Sequence, residues 1–226
     1  MSTLARRRAL RAIDSYASLL VLLLANFFLL ELVDDPRWGA IGSTLLAAAA
    51  LFVAISDPEN GHTISRTQTA TIVGCIALSS VLFFVDSASI IGLAYLLPVA
   101  LLVTATLPIT MYRVVHHRRV TTETILGSLC TFVLLGLTFG FVYLAINELR
   151  DAPFFTQPGP HTQSEFMYFS FVVLTTLGFG DLSPSVGLPQ ALVAIEALLG
   201  SVFLVTLVAR LVTLWVRQDE LRPRDL

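Results

Sequence analysis

Long apolar stretches separated by short polar connections dominate the pattern of the chain. Six of the stretches are long enough to cross a membrane, since a spanning helix needs about 20 mostly apolar residues. They run over 15–33, 38–55, 68–85, 89–112, 124–147 and 190–216. A shorter apolar run, 166–174, cannot cross and fits a helix that enters only half of the membrane.

Between this short run and the last span lies Thr175-Thr176-Leu177-Gly178-Phe179-Gly180-Asp181. Irregular backbone at membrane depth is tolerated only where protein covers it or where it lines a cavity. Gly178 and Gly180 can take positive φ values, which lets consecutive peptide carbonyls turn to the same side. A strand of this kind can replace the water shell of a dehydrated cation.

Composition supports a membrane location. The chain is 55% hydrophobic and 13% charged, with a mean hydropathy of +0.80, and is far more apolar than a soluble domain. We therefore expect an integral membrane protein surrounded by lipid, without a nucleic-acid partner. No nucleotide-binding motif, catalytic triad or metal-ligand cluster is recognised in the sequence, so no enzyme activity is expected.

Residues 176–181 resemble the selectivity-filter signature of potassium channels, Thr-x-Gly-Tyr/Phe-Gly followed by Asp. The flanks also match, because an amphipathic run precedes the motif, Pro184 follows it, and a long apolar helix containing Gly200 comes next. The resemblance implies an all-α membrane protein with six transmembrane helices, a re-entrant pore helix and a filter strand. It also implies a homotetrameric channel, because one chain supplies only one filter strand.

The resemblance implies which residues bind the permeant ion. The carbonyls of Thr176, Leu177, Gly178 and Phe179 are the expected K⁺ ligands, with the Thr176 hydroxyl at the innermost position, and Gly180 completes the ion-binding strand. Potassium is thus the cargo, and no cofactor is expected.

Five residues are expected to support the filter: Thr175, Asp181, Tyr168, Phe169 and Val172. We expect Thr175 to face the pore helix, Phe169 to sit against Phe179, and the Tyr168 hydroxyl to reach Asp181. Val172 stands where some bacterial relatives carry a buried glutamate, so Asp181 must be held in another way.

Two further features concern the helices around the filter. Thr162 and Glu165 have the spacing of a capping box that opens the pore helix. In the last span, Gly200 marks either a hinge or a close packing contact, and Glu196 lies one turn earlier on the same face. Glu196 either attracts cations to the cavity or bonds to the back of the pore helix; both residues are gating candidates.

Arginine positions predict the orientation. All fourteen basic residues are arginine; Arg37 and Arg150 lie on one side of the predicted spans and the other twelve on the opposite side. Because cytoplasmic loops carry the excess of positive charge, we expect a multi-pass protein of the plasma membrane with both termini in the cytoplasm. The re-entrant segment then enters from outside.

The basic connection 113–119 separates two predicted units. Residues 1–112 form a four-helix domain in the position of a voltage sensor, and residues 113–226 form the pore domain with its helix, turret loop, pore helix, filter and helix. The fourth span carries Pro98 and Pro108 but no gating arginine. Each gating charge is worth about 2.3 kcal/mol per 100 mV, so steep voltage gating is not expected. With short termini, a tethered regulatory domain is not expected either.

These observations predict a potassium-selective channel that conducts passively. The replacement of the commoner filter tyrosine by Phe179 leaves open a weakly selective cation channel with a loosened filter. A filter-like transporter subunit is less compatible, since the chain carries a single filter segment. A non-conducting membrane scaffold is the remaining alternative.

Overall fold

The computed structural model describes residues 3–33, 35–55, 88–102 and 122–220. This part of the chain is helical, with one isolated β-bridge between Phe155 and Pro184. The helices, in chain order, are α1 (Thr3–Leu32), α2 (Pro36–Ile55), α3 (Ala88–Leu101), α4 (Thr122–Leu149), α5 (Gln163–Leu174) and α6 (Leu188–Glu220).

Helices occur where the apolar stretches predict them. α2, α4 and α6 cover the predicted spans 38–55, 124–147 and 190–216, and α5 covers the short run; α1 covers the span 15–33 except for its last residue. α3 covers the first part of the predicted fourth span and contains Pro98. The predicted third span 68–85, the rest of the fourth span and the connection 113–119 lie outside the described residues.

Among the described residues, two helices are long and apolar enough to cross a membrane, judged by length and composition. An 18-residue stretch within Ile125–Leu149 of α4 has a mean hydropathy of 2.3, and one within Leu188–Ala209 of α6 has 2.4. Tyr16–Leu30 and Trp38–Val53 are shorter apolar helices. An apolar helix keeps its backbone hydrogen bonds within itself, which is the condition for crossing a bilayer.

Glycines on α4 let the short helix α5 approach closely. A Cβ atom added at Gly136 would lie 2.6 Å from a ring carbon of Phe171, and one added at Gly140 would collide with Met167. Small residues at helix interfaces in membranes allow this kind of close contact. α5 is therefore seated directly on the surface of α4.

The helices before and after the predicted domain boundary share one hydrophobic core. α1 and α3 both pack on α4, and α1 also touches α5. Rings cross the boundary at two points, where Phe27 meets Phe171 edge to face at 5.5 Å and Tyr95 stacks on Phe141 at 6.5 Å. The described part of the first unit is thus packed against the helices that hold the predicted filter.

Gln163, the first residue of α5, joins this helix to the first unit by hydrogen bonds. Its side-chain oxygen accepts a bond of 2.8 Å from the Tyr95 hydroxyl on α3, and its amide nitrogen donates to the Val33 carbonyl at 3.3 Å. Gly39 at the start of α2 lies so close that a Cβ atom there would collide with the Gln163 amide. The connection between α1 and α2 and the start of α5 are therefore at the same end of the bundle, in agreement with the arginine count.

We expect the bond between Tyr95 and Gln163 to couple the two units energetically. Tyr95→Phe and Gln163→Ala should each lower the free energy of unfolding. The loss in the double variant should be smaller than the sum of the two single losses by about 0.6–1.7 kcal/mol, the range for hydrogen bonds between membrane helices. A thermal-unfolding double-mutant cycle in detergent measures this coupling.

The matched control pairs Tyr95→Phe with Gln157→Ala. Gln157 lies in the loop before α5, and its side chain bonds to Asp181 and Ser183 after the filter segment. That pair should be additive. Additivity between Tyr95 and Gln163 as well would contradict the coupling.

Candidate ion-binding site

The pore helix α5 begins with the predicted capping box. Thr162 has extended dihedral angles, φ −79° and ψ 159°, and its hydroxyl accepts a hydrogen bond of 3.4 Å from the Glu165 amide. In return, the Thr162 amide donates to the Glu165 carboxylate at 2.7 Å. Two free amide donors of the first turn are thereby satisfied, so this prediction is confirmed.

The C-terminal end of α5 leads directly into the filter segment and holds it. The Thr175 hydroxyl donates to the Phe171 carbonyl at 2.6 Å, so Thr175 faces the pore helix as predicted. The Val172 carbonyl accepts from the Leu177 amide at 3.0 Å and from the Gly178 amide at 3.5 Å. Val172 thus supports the filter through its main chain, while its side chain is buried.

Positive and negative φ angles alternate along the filter segment. φ is 60° at Thr176, 55° at Gly178 and 80° at Gly180, whereas Leu177 and Phe179 between them do not have positive φ. In a regular β-strand, successive carbonyls point to opposite sides. Alternation between left-handed and right-handed conformations turns successive carbonyls toward one side instead, the arrangement that a row of cation ligands requires.

The left-handed conformation is costly at Thr176. Among the described residues, Thr176 is the one non-glycine residue with a positive φ, and a β-branched residue in this region is a genuine outlier. The left-handed region costs about 1–2 kcal/mol for an L-residue. Strain of this size persists where the surroundings impose it, and it clusters at functional sites.

The filter segment is open on one side in the single chain. Leu177 is 61% exposed and Phe179 65%, and Cβ atoms added at Gly178 and Gly180 would meet nothing within 4 Å. The side-chain face of residues 177–180 is therefore not covered by protein within this chain.

The aromatic residues of α5 are arranged differently from the prediction. The Phe179 ring stacks on Tyr168, with centroids 6.4 Å apart and planes 4° apart. Phe169 instead packs among Tyr143, Phe154 and Phe155. The prediction that Phe169 sits against Phe179 is wrong within the chain, because the loop after α4 brings two phenylalanines onto the same face of α5.

Asp181 is held through its main chain, and its carboxylate lies near the Tyr168 hydroxyl, as predicted. Its carbonyl accepts a bond of 2.9 Å from the Gln157 side chain. This main-chain contact lies on the outer side of the filter segment.

Gln157, in the loop before α5, is a supporting residue that sequence reasoning missed. Besides donating to Asp181, it accepts a hydrogen bond of 3.0 Å from the Ser183 amide. Bonds between main chains continue the contact, from Thr156 to Ser183 at 2.9 Å and from Ser185 to Phe154 at 2.7 Å. The loop predicted as a turret therefore pairs with the segment that follows the filter, and no spacing in the sequence signals this pairing.

Glu196 bonds to the back of the pore helix. One carboxylate oxygen is 2.5 Å from the Ser170 hydroxyl on α5, and the other accepts a hydrogen bond of 2.5 Å from the Tyr143 hydroxyl on α4. Its side chain is fully buried. Of the two predicted alternatives, the bond to the pore helix is confirmed and the position facing the cavity is not.

Gly200 is a close packing contact. A Cβ atom at this position would lie 2.5 Å from the Leu174 carbonyl oxygen, at the end of α5. This observation supports the packing alternative for Gly200, since a larger residue would push α6 away from the base of the filter.

The comparisons with known proteins agree with this geometry. Residues 129–217 match a protein-family model described as an ion channel. No curated protein matches the chain. The matched region contains most of α4, all of α5, the filter segment and most of α6. This part of the chain is therefore an ion-channel domain in a membrane protein, and the protein is a channel rather than an enzyme.

Proposed function

We propose that this protein is a potassium-selective channel that conducts passively across the plasma membrane as a homotetramer. In it, K⁺ binds to the carbonyls of Thr176, Leu177, Gly178 and Phe179, with Gly180 completing the strand.

The observation that carries the proposal is the alternation of φ along residues 176–180. A turn that only packed helices would have no need for three left-handed residues at every second position, including a strained threonine. A row of carbonyls that replaces the hydration shell of an ion does need them. The strand is held by α5 from behind and by Gln157 at its outer end.

The exposure of α6 supports assembly from several chains. Only 11% of an 18-residue apolar stretch within Leu188–Ala209 is buried within the chain, compared with 67% of such a stretch within Ile125–Leu149 in α4. Large apolar side chains line the uncovered part of α6: Leu198, Leu199, Val202, Val205 and Val208. In a tetramer, neighbouring chains and the central cavity account for this surface, and four filter strands surround the ion.

The absence of gating charge in α3 supports passive conduction. α3 (Ala88–Leu101) contains no arginine and has Pro98 inside it. A helix without charge gains no energy from movement in the membrane field, so we propose that the current does not depend steeply on voltage.

Replacement of Gly178 by alanine should abolish potassium flux. Alanine at φ 55° carries a cost of about 1–2 kcal/mol, and its methyl group would project into the open side of the filter. Potassium flux from liposomes loaded with K⁺ and containing the purified protein measures this effect.

Gly159→Ala is the matched control. Gly159 in the loop before α5 also has a positive φ, 113°, and open space around its Cα atom, but it lies outside the filter. This variant should conduct. Equal flux from the wild type and from Gly178→Ala would rule out conduction through this strand, and no flux from any variant or from the wild type would favour a scaffold.

Gln157→Ala should loosen the outer end of the filter while the protein stays assembled. It removes one hydrogen bond to Asp181 and one from Ser183, each worth about 0.5–1.5 kcal/mol at most in this exposed position. Hydrogen–deuterium exchange should become faster at residues 181–185 and stay unchanged in α4. Unchanged exchange at residues 181–185 would show that the main-chain pairing alone holds this end.

A further inference from the structure

Glu196 lies at the meeting point of three helices. Its carboxyl group belongs to α6, Ser170 faces it from α5 and Tyr143 faces it from α4, with both oxygen–oxygen distances at 2.5 Å. The Ser170 hydroxyl is also 2.8 Å from the Gly136 carbonyl on α4. The three helices are thus joined by a chain of three oxygen contacts behind the filter.

The number of protons in this chain depends on the state of Glu196. Tyr143 and Ser170 each supply one hydroxyl proton, and the Gly136 carbonyl supplies none. With an ionised carboxylate, two protons serve three contacts, so one pair of oxygens faces each other without a proton between them. With a carboxylic acid, Glu196 donates to Ser170, Ser170 donates to Gly136, and Tyr143 donates to the second Glu196 oxygen.

The burial of the Glu196 carboxyl group also favours its protonated form. Glu196 has no exposed surface, and among the described residues no arginine or histidine forms an ion pair with it. Tyr143 is the titratable group that faces it from α4, and α5 presents Ser170. An ionised carboxylate in such a site lacks the opposite charge that makes a buried charge tolerable.

We propose that Glu196 is held as a neutral carboxylic acid and acts as a positioning residue for the pore helix. This inference deepens the proposed channel function. The effect of Glu196 on flux rests on that function, whereas the geometry of its hydrogen bonds does not. Ser170 lies two residues before Val172, whose carbonyl holds the Leu177 and Gly178 amides. The acid therefore fixes the helix from which the filter is suspended, and it does so without placing a negative charge behind the ion-binding strand.

An infrared difference spectrum between the wild type and Glu196→Gln tests the protonation state. At neutral pH the wild type should show the carbonyl-stretch band of a protonated carboxylic acid, and the variant should lack it. Tyr143→Phe should move this band to higher frequency, because the acid loses a donor to its carbonyl oxygen. A spectrum without the band in the wild type would overturn the proposal.

Unfolding temperature and flux test the positioning role. Glutamine can donate to Ser170 and accept from Tyr143, so Glu196→Gln should unfold near the wild-type temperature and keep at least about half of the flux. Glu196→Ala should unfold at a lower temperature and lose most of the flux. Ser201→Ala is the control on the same helix, because its hydroxyl bonds to Ala197 within α6 and should matter little to either quantity.

The outcomes separate this inference from the channel proposal. A wild type without flux that still shows the acid band and the expected order of unfolding temperatures would contradict conduction and leave the acid in place. A conducting wild type in which Glu196→Ala retains full flux would contradict the positioning role.

Discussion

The hydrogen bonds from the Leu177 and Gly178 amides to the Val172 carbonyl are the contacts on which the rest of the site depends, at 3.0 and 3.5 Å. Backbone groups at membrane depth need a partner, because each unsatisfied group costs several kcal/mol. By directing these amides back to the pore helix, the chain satisfies two donors of the filter segment. The carbonyls of the same residues then remain available for an ion.

This arrangement requires a fixed pore helix. α5 is seated on α4 through Gly136 and Gly140, and α6 approaches its end at Gly200. Glu196 ties α5 and α4 to α6 by hydrogen bonds, and Gln163 ties the start of α5 to the first unit. Such over-determination is the condition under which a strained conformation like that of Thr176 persists.

The features that the sequence predicted correctly are local ones. Three of them depend on residues within a few positions of one another: the capping box of Thr162 and Glu165, the contact of Thr175 with the pore helix, and the positive φ at Gly178. Their physical causes, free amide donors and the absence of a Cβ atom, can be read from residue type and spacing. The helices, too, follow from long apolar runs with their own backbone partners.

The features that it missed depend on contacts between distant segments. Gln157 meets Asp181 across 24 positions of the chain, so no local pattern marks it. Phe169 packs against Phe154 and Phe155 because the loop folds back onto α5, which the spacing within α5 cannot reveal. The choice between two roles for Glu196 required its partners on two other helices.

The packing of α1 and α3 against α4, and of α1 against α5, indicates what the first unit contributes. Without gating arginines, its described helices extend the apolar surface that holds the pore helix, and its bond to Gln163 reaches the start of that helix. On this account, the filter of residues 176–180 alone decides which ion passes.

The reversal potential of current through the reconstituted protein, with K⁺ on one side and Na⁺ on the other, tests this claim most directly. The account predicts a value near the potassium equilibrium potential. A reversal potential near zero would contradict it and would show a pore that does not distinguish the two ions.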